Sequence, residues 1–172
     1  NINTVFIATR HDSHAHYILQ ALKAGKHVFA EKPLCLSETE LNEIAKICNP
    51  EPGLSSEAYQ AKEGTLNPEP VLMVGYNRRF SPLVQKIKKE FGEGPMALMY
   101  RVNAGAIPED SWIRDPEFGG GRIIGEVCHF VDTLTFLSGS LPVSVYANAM
   151  AHPSNLNDTL NVTLTYQNGS IG

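Results

Sequence analysis

The chain has 172 residues, of which 42% are hydrophobic and 19% are charged, a composition typical of globular proteins. The net charge of −4 provides no basic surface for a nucleic acid, and no apolar run approaches the roughly 18 residues of a membrane span. The first residues also lack the basic and apolar blocks of a secretory signal, so we expect a cytoplasmic protein without membrane or nucleic-acid partners.

The first predicted element is a strand over the apolar run Val5–Ala8. Asp12 or Ser13 can cap the helix that follows, because both side chains can accept a hydrogen bond from the backbone of its first turn. Apolar residues recur along this helix at the spacing of a single buried face: Ala15, Ile18, Leu19 and Leu22. We therefore predict a strand followed by a helix that packs on a sheet.

A second short strand, Val28–Ala30, follows Gly25, which suits the left-handed residue that ends a helix. Strand, helix and strand form a parallel βαβ unit by the usual rule. Pro33 prevents further pairing and keeps Lys32 extended at the carboxyl end of the strand, where open α/β sheets bind ligands. The alternative for a bare Glu-Lys-Pro triplet is a solvated surface turn.

Three histidines, His11, His14 and His16, lie near the start of the first predicted helix. Their spacings of three, two and five residues do not place them together on one face, and no carboxylate cluster completes a ligand set. Cys35, Cys48 and Cys128 also lack metal-type spacing. We therefore predict no metal site and expect the cysteines to be reduced, packed thiols.

Ser37 and Glu40 form a capping box that predicts the start of a second helix. The apolar face of this helix is predicted to consist of Leu41, Ile44, Ala45 and Cys48. The stretch from Asn49 to Pro70 has four prolines and no sustained period, which predicts a long loop.

A third buried strand is predicted over Val71–Val74, and Arg78 and Arg79 follow its carboxyl end. Ser81 as N-cap and Pro82 at the first helical position predict a helix with Leu83, Val84, Ile87 and Phe91 on its apolar face. The two arginines can simply be solvated residues that precede this helix. They are equally suited to bind a hydroxylated or anionic substrate, or a cofactor diphosphate.

From Met96 onward the apolar residues alternate with a period of two. Three segments with this pattern, 96–103, 143–149 and 159–166, predict a second sheet that is mainly antiparallel. Asn168-Gly169 is a strong hairpin signal after the third of them.

A fourth helix is predicted between the first two strands of this sheet, after Trp112, Arg114 and the triplet Gly119–Gly121. The triplet does not follow a strand inside a βαβ unit. We therefore interpret it as a tight backbone turn that leads into the helix rather than as a dinucleotide-binding fingerprint. The helix carries Glu126 and His129 in its first turns and ends at Gly139. Its predicted apolar face consists of Val127, Phe130, Val131, Leu134 and Leu137.

Taken together, several of these motifs resemble the glucose-fructose oxidoreductase / inositol dehydrogenase / MocA (Gfo/Idh/MocA) family. The similarity covers nearly the whole chain, and the motifs fall in the family's order and rough spacing. They are Val5–Thr9, His14-Ala15, Ala24–Val28, Glu31–Leu34, Gly75–Pro82, Gly119–Gly121 and Cys128–Asp132.

The resemblance implies an α/β fold in two parts. Residues 1–80 are expected to be the second half of a Rossmann-like parallel-sheet domain. Residues 81–172 are expected to begin an α+β substrate domain with a mainly antiparallel sheet, through which the family commonly forms homo-oligomers. The glycine-rich turn and the acidic residue that binds the ribose are not in the sequence, so we expect a fragment of an oxidoreductase that is inactive by itself.

For the full-length protein, the resemblance implies NAD- or NADP-dependent hydride transfer to or from a sugar, cyclitol or related secondary alcohol. Removing a hydride from a carbinol requires a base for the hydroxyl proton and a positive group for the developing alkoxide. His129 can supply the first and Lys32 the second. Without the resemblance, a packed helix histidine is the favoured interpretation of His129.

Further roles are assigned with the resemblance. The expected cofactor-binding residues are Thr9, Arg10, His11, His14, Glu31, Lys32 and Pro33. The expected substrate-binding residues are Arg78, Arg79, Trp112 and Arg114. The family commonly has an Asp four residues before the catalytic His, but Gly125 holds that position, so we predict that Glu126 orients His129 instead. The alternative is a solvated glutamate that interacts only with the helix dipole.

Two other classes of function stay open at this point. A non-catalytic binding or regulatory protein could retain the fold. A structural or interaction module could present the open face of its second sheet to a partner.

Overall fold

The computed structural model describes residues 2–49, 70–151 and 159–172. They form two compact units, the first from residues 1–75 with 117–119 and the second from 76–116 with 120–172. The division falls between Gly75 and Tyr76 rather than after residue 80, so the turn that follows the third strand belongs to the second unit. Most of the predicted long loop lies outside the described residues.

The first unit is built on a parallel sheet of three strands in the order β1 (Thr4–Ile7), β2 (His27–Ala30) and β3 (Leu72–Val74). Ile7 pairs with Ala30, and Ala30 with Val74, so all three strands end level with one another. The three strands lie where the sequence predicts them, within one residue at each end, and the prediction of parallel pairing is confirmed.

Helix α1 (His11–Lys23) connects β1 to β2 and buries Ala15, Ile18 and Leu22, as its apolar spacing predicts. Its end is a glycine motif: Gly25 has φ +67°, Gly25 N donates to Leu22 O, and Lys26 N donates to Ala21 O. The predicted cap at Asp12 or Ser13 is wrong. The helix begins at His11, and the Ser13 hydroxyl instead lies 2.9 Å from Arg10 O and 2.7 Å from Thr9 Oγ1, the back-bonding that serine makes inside a first turn.

Helix α2 (Glu38–Cys48) begins with the predicted capping box, in which Ser37 Oγ accepts from Glu40 N at 3.2 Å. Its apolar face is narrower than predicted. Only Ile44 is buried, with Ile47 packed beside it, whereas Leu41 is 45% exposed and Cys48 is exposed. The core of the first unit thus lies mainly between α1 and the sheet.

The second unit contains helices α3 (Pro82–Phe91) and α4 (Cys128–Ser138) and an antiparallel pair of strands, β4 (Pro142–Ala149) and β5 (Leu160–Tyr166). Ser81 caps α3 as predicted, its Oγ accepting from Val84 N at 3.3 Å. A one-turn 3₁₀-helix, Asn77–Phe80, precedes α3, and a π-helical turn, Ile123–Val127, precedes α4. The predicted turn at Gly169 is present, with φ +84° and Tyr166 N donating to Ser170 O.

The strand predicted over 96–103 is wrong. Ala97 makes one isolated bridge to Ile171, supported by Leu98 N donating to Ile171 O and Ile171 N donating to Met96 O. Residues 99–103 have no assigned ladder partner among the described residues. An alternating pattern predicts which side chains can share a face, but a strand also needs a neighbour to accept its backbone hydrogen bonds.

The apolar faces predicted for α3 and α4 are also only partly observed. Leu83, Ile87 and Phe91 of α3 are 74%, 42% and 72% exposed. The face that α4 buries is largely polar, with Leu134 as its buried apolar residue: His129, Asp132, Thr133, Leu134 and Ser138. One buried polar residue of this face, Asp132, is paired with the guanidinium of Arg79, which makes its burial possible. In the described part of the chain no helix has both the length and the apolar character needed to cross a membrane.

The predicted fold class is confirmed: a Rossmann-like parallel sheet is followed by an α+β unit with an antiparallel sheet.

Candidate functional site

In the first unit, the segments after β1 and β2 leave the parallel sheet at the same edge. Because Ile7 and Ala30 pair, Thr9 and Arg10 on one segment emerge beside Glu31 and Lys32 on the other. Thr9 and Arg10 are exposed, and Glu31 and Lys32 are half-buried. The structure therefore brings together, at the carboxyl edge, the residues predicted to line a cofactor.

Glu31 is held against the neighbouring strand end. Its backbone N–H donates to Ile7 O at 2.8 Å, and Gly75 N donates to Ala30 O at 2.7 Å on the other side of β2. The Glu31 carboxylate lies directly over Gly75, where a Cβ would come within 3.0 Å of Oε2. Gly75 thus leaves the space that this carboxylate occupies, a role that sequence reasoning did not assign.

His14 differs from the other predicted cofactor-binding residues because its ring is sealed inside the unit. The side chain is 1% exposed, with Nδ1 2.7 Å from Pro33 O and Nε2 3.1 Å from Thr9 O. Its ring contacts the backbone of both segments inside the protein, so almost none of its surface is exposed to a ligand.

His11 also interacts with the backbone. Its Nδ1 lies 2.8 Å from the carbonyl oxygen of Gly119. Burial lowers the pKa of His11 below its ordinary value of 6.5; the Gly119 contact opposes this, and the positive charge of Lys32 adds to the lowering. The neutral imidazole is therefore favoured beside the Lys32 ammonium. Among residues 2–49, 70–151 and 159–172, no group of three or more His, Cys, Asp and Glu side chains is arranged to hold a metal ion.

In the second unit, His129 lies on the first turn of α4 and is 7% exposed. The edge of the Tyr76 ring meets it, with centroids 6.0 Å apart, and Thr133 Oγ1 donates to the His129 carbonyl at 2.7 Å. Sequence reasoning missed Tyr76. The available signal was its position directly after β3, where ligand-facing residues are common.

Glu126 lies on the π-helical turn, and its carboxylate has a charged neighbour. Glu126 Oε2 is 3.6 Å from Nε of Arg122, whose Nη1 donates to Gly105 O at 2.8 Å. The prediction that Glu126 orients His129 assumed a regular helix, in which residues three apart meet. The π-helical turn alters that spacing, and the orienting role stays a prediction.

Arg79, for which substrate binding stays a prediction, is paired with a buried carboxylate. Its Nε donates to Asp132 Oδ2 at 2.9 Å and its Nη2 to Asp132 Oδ1, a bidentate arrangement. The guanidinium carbon also lies 5.6 Å from the centroid of the Phe136 ring. The hydrogen bond to Asp132 raises the pKa of Arg79 further above its ordinary value. Arg79 therefore holds the turn after β3 against α4.

The other predicted substrate-binding residues are less constrained. Arg78 is exposed; its Nη1 donates to Tyr100 Oη at 2.9 Å, and its guanidinium lies 5.0 Å from the Phe130 ring centroid. Trp112 and Arg114 share a 3₁₀-helix, in which Trp112 is 37% exposed and Arg114 Nη1 donates to Ile107 O at 3.2 Å. Arg78 and Trp112 thus present polar and aromatic surface in this unit.

Replacing Arg79 by methionine in the full-length protein should lower the free energy of unfolding by about 2 kcal/mol. The change leaves the Asp132 carboxylate, 7% exposed, without its cation. The loss is smaller than for a fully buried pair because the Arg79 side chain is 34% exposed. Urea unfolding measures it, with Arg78→Met as the matched control, expected within about 0.5 kcal/mol of wild type. Equal stability of the two variants would show that the ion pair does not hold this unit together.

These features define a class: an α/β protein with a Rossmann-like parallel sheet, a lysine at the carboxyl edge of its middle strand and a histidine on a helix of a second unit. Two family models match the chain. One, described as an oxidoreductase family with an NAD-binding Rossmann fold, matches residues 1–57, and the Gfo/Idh/MocA C-terminal domain matches residues 91–172.

Individual relatives agree with these models. The chain is 30% identical to the uncharacterized oxidoreductase YrbE of Bacillus subtilis, over 99% of the chain and 47% of YrbE. It is 32% identical to inositol 2-dehydrogenase of Rhizobium meliloti, over 87% of the chain and 40% of that protein. The solved structure of an NAD-binding protein from Listeria innocua superposes with a TM-score of 0.68 at 28% identity, covering 99% of this chain and 48% of the other.

The chain therefore belongs to the Gfo/Idh/MocA family of oxidoreductases, as its motifs predict. The prediction of a nicotinamide cofactor is confirmed at the level of the family, whose first model is described as NAD-binding. The chain spans somewhat less than half the length of these curated relatives, 47% of YrbE and 40% of the inositol dehydrogenase.

Proposed function

We propose that the full-length protein transfers a hydride between NAD or NADP and a secondary alcohol carbon of a sugar, cyclitol or related compound. The observation that carries this proposal is the Glu31-Lys32-Pro33 segment at the carboxyl end of the middle parallel strand, in a chain of an oxidoreductase family. The names of two relatives, inositol 2-dehydrogenase and myo-inositol 2-dehydrogenase, support cyclitols as the first compounds to test.

The residues at the carboxyl edge of the first unit fit part of a nicotinamide dinucleotide. Arg10 and Lys32 bring positive charge, which suits an anionic cofactor. Helix α1 begins at the same edge, with Arg10 as its N-cap residue. The first amide groups of a helix and its dipole favour a negative ligand group at that end. A bound nicotinamide supplies the site that accepts or returns the hydride.

Two side chains are proposed to act on the substrate hydroxyl. The Lys32 ammonium donates a hydrogen bond to the reacting oxygen and stabilises the negative charge that develops on it. His129 accepts the hydroxyl proton during oxidation and returns it during reduction. Two observations support this role, the edge-on contact between the Tyr76 and His129 rings and the burial of the His129 side chain. Both restrict the orientation of the imidazole.

The assay is direct. The full-length protein is incubated with NAD or NADP and a panel of cyclitols and aldoses, and the near-ultraviolet absorbance of the reduced nicotinamide is followed. We expect turnover with at least one member of the panel. Cofactor binding without turnover of any polyol would contradict the proposal and favour a non-catalytic binding or regulatory protein.

Replacing Glu126 by glutamine should lower kcat about 10-fold if this carboxylate orients His129. The pH–rate limb assigned to His129 should also move to lower pH, because a nearby negative charge favours the imidazolium. Arg122→Gln is the matched control, since it removes the 3.6 Å partner of Glu126 and leaves the carboxylate in place. If both variants lose similar stability and neither changes the pH profile, Glu126 serves only its ion pair.

Self-association and location are proposed with this function. Side chains on both faces of β4 are exposed, among them Val143, Val145 and Tyr146 at 59%, 67% and 69%, so this sheet offers apolar surface through which two copies can pair. Light scattering of the full-length protein tests this self-association, and we expect Val145→Glu to lower the measured molar mass.

The three free cysteines support a reducing, cytoplasmic location.

A further inference from the structure

The buried side chain of His14 connects the two segments that leave adjacent strands of the parallel sheet. Nδ1 lies 2.7 Å from the carbonyl oxygen of Pro33, after β2, and Nε2 lies 3.1 Å from that of Thr9, after β1. The ring is 1% exposed, so water cannot readily replace either contact. Both carbonyl groups would be left without this partner if the imidazole were removed, which is costly inside a protein.

Lys32 lies between two fixed points of the backbone. On one side, Glu31 N donates to Ile7 O at 2.8 Å, the last pairing between β1 and β2. On the other, Pro33 O accepts the hydrogen bond of His14. Sheet pairing alone cannot hold the second side, because proline has no N–H to donate. His14 supplies the attachment that the sheet cannot.

The two ring contacts of His14 are not equivalent. Both partners are carbonyl oxygens, which only accept hydrogen bonds, so the shorter contact is the one that most clearly requires an N–H on the ring. We assign an N–H to Nδ1, because it lies 2.7 Å from Pro33 O whereas Nε2 lies 3.1 Å from Thr9 O. The contact with Pro33 O, the residue next to Lys32, is therefore the stronger of the two.

We propose that His14 is a positioning residue, which fixes the Pro33 backbone and thereby aims the adjacent Lys32 ammonium at the reacting oxygen. This inference rests on the proposed function of Lys32. It assigns His14 no contact with cofactor or substrate. A displacement of a reacting group by about 1 Å can lower a rate about 10²-fold, so the expected effects are well within reach of kinetics.

Two substitutions separate the contacts of His14 in the full-length enzyme. The side-chain amide of asparagine can take the place of Nδ1 and keep the hydrogen bond to Pro33 O, whereas that of glutamine reaches toward the Nε2 position and Thr9 O. We expect kcat of His14→Asn to stay within about three-fold of wild type and that of His14→Gln to fall about 10-fold or more. Cofactor Kd should change little in either variant. Equal kcat for the two variants, at either level, would overturn the proposal.

A second readout needs no cofactor. Amide hydrogen exchange of the peptide that contains residues 31–36 should be faster in His14→Gln than in wild type and near wild type in His14→Asn. Unfolding in urea shows whether global stability accounts for the change. Faster exchange spread evenly over the first unit would overturn a positioning role in favour of a general structural one. If His14→Gln does not fold, His14→Asn decides: a folded variant with kcat below about a tenth of wild type contradicts the proposal.

A double-mutant cycle tests whether His14 acts through Lys32. In the Lys32→Met background, adding His14→Gln should lower kcat by less than about two-fold, because there is no ammonium left to position. A full additional loss would overturn the inference. If Lys32→Met alone retains kcat, the proposed function fails and this inference with it. If Lys32→Met loses kcat while His14→Gln retains it, only this inference fails.

Discussion

Replacing Lys32 by methionine should lower kcat of the full-length enzyme about 10²-fold or more, with a smaller change in cofactor affinity. Methionine keeps most of the length of the side chain and removes the ammonium. The lost interaction is one that strengthens as negative charge develops on the substrate oxygen, so it acts mainly on the transition state. Steady-state kinetics and a cofactor titration measure the two quantities separately.

Lys23→Met is the matched control for this experiment. Lys23 is an exposed basic residue in the last turn of α1, and its replacement should change kcat less than about two-fold. A Lys32→Met enzyme with near-normal kcat would dismiss the role of Lys32. A Lys32→Met enzyme that loses cofactor affinity and kcat in equal measure would assign the ammonium to cofactor binding instead.

Replacing His129 by asparagine should lower kcat about 10³-fold, within the range that a general acid or base contributes. Asparagine can still form hydrogen bonds but cannot take up a proton near neutral pH. The pH–rate profile is the more specific readout, since the limb that reports the catalytic base should disappear. His16→Asn, an exposed histidine on α1, is the matched control and should leave the profile unchanged.

The buried position of His129 makes a stability control necessary. It packs beside Tyr76 at 7% exposure, so part of any loss could come from altered packing. Urea unfolding of His129→Asn, and of Tyr76→Leu, which removes the ring contact, separates the two effects. A folded His129→Asn enzyme that retains kcat and an unchanged pH profile would return His129 to a purely structural role.

Short sequence motifs predicted three features that involve only a few neighbouring residues. The capping box at Ser37 and Glu40, the glycine that ends α1 and the turn at Gly169 each depend on a few neighbouring residues, and all are present. The buried face of α1 followed from its regular spacing because that helix packs on a sheet of the same unit.

One local prediction failed, the cap at Asp12 or Ser13, because the helix already begins at His11. Two other failures depend on residues distant in the chain. The segment 96–103 alternates like a strand, but only Ala97 makes a bridge, to Ile171. The polar face of α4 is buried because Arg79, 53 positions before Asp132, compensates its carboxylate. Neither contact can be derived from periodicity, which records only what lies near along the chain.

The same distinction between neighbouring and distant residues applies to the candidate site. Sequence motifs led to the roles predicted for Lys32 and His129, since each belongs to a pattern of neighbouring residues, and these roles stay predictions. The ion pair that Arg79 makes with Asp132 was not predicted. The space that Gly75 leaves for Glu31, and the contact of His14 with Pro33, emerge only when separate strands are placed side by side.

The most direct test of hydride transfer by this protein is the fate of a deuterium label. The full-length enzyme is given NAD or NADP with a cyclitol that carries deuterium on its carbinol carbons, and the reduced cofactor is analysed by mass spectrometry. We expect wild type to transfer one deuterium per turnover to the cofactor and Lys32→Met to do so about 10²-fold more slowly. Product formation with no label in the cofactor, or equal rates for wild type and Lys32→Met, would contradict it.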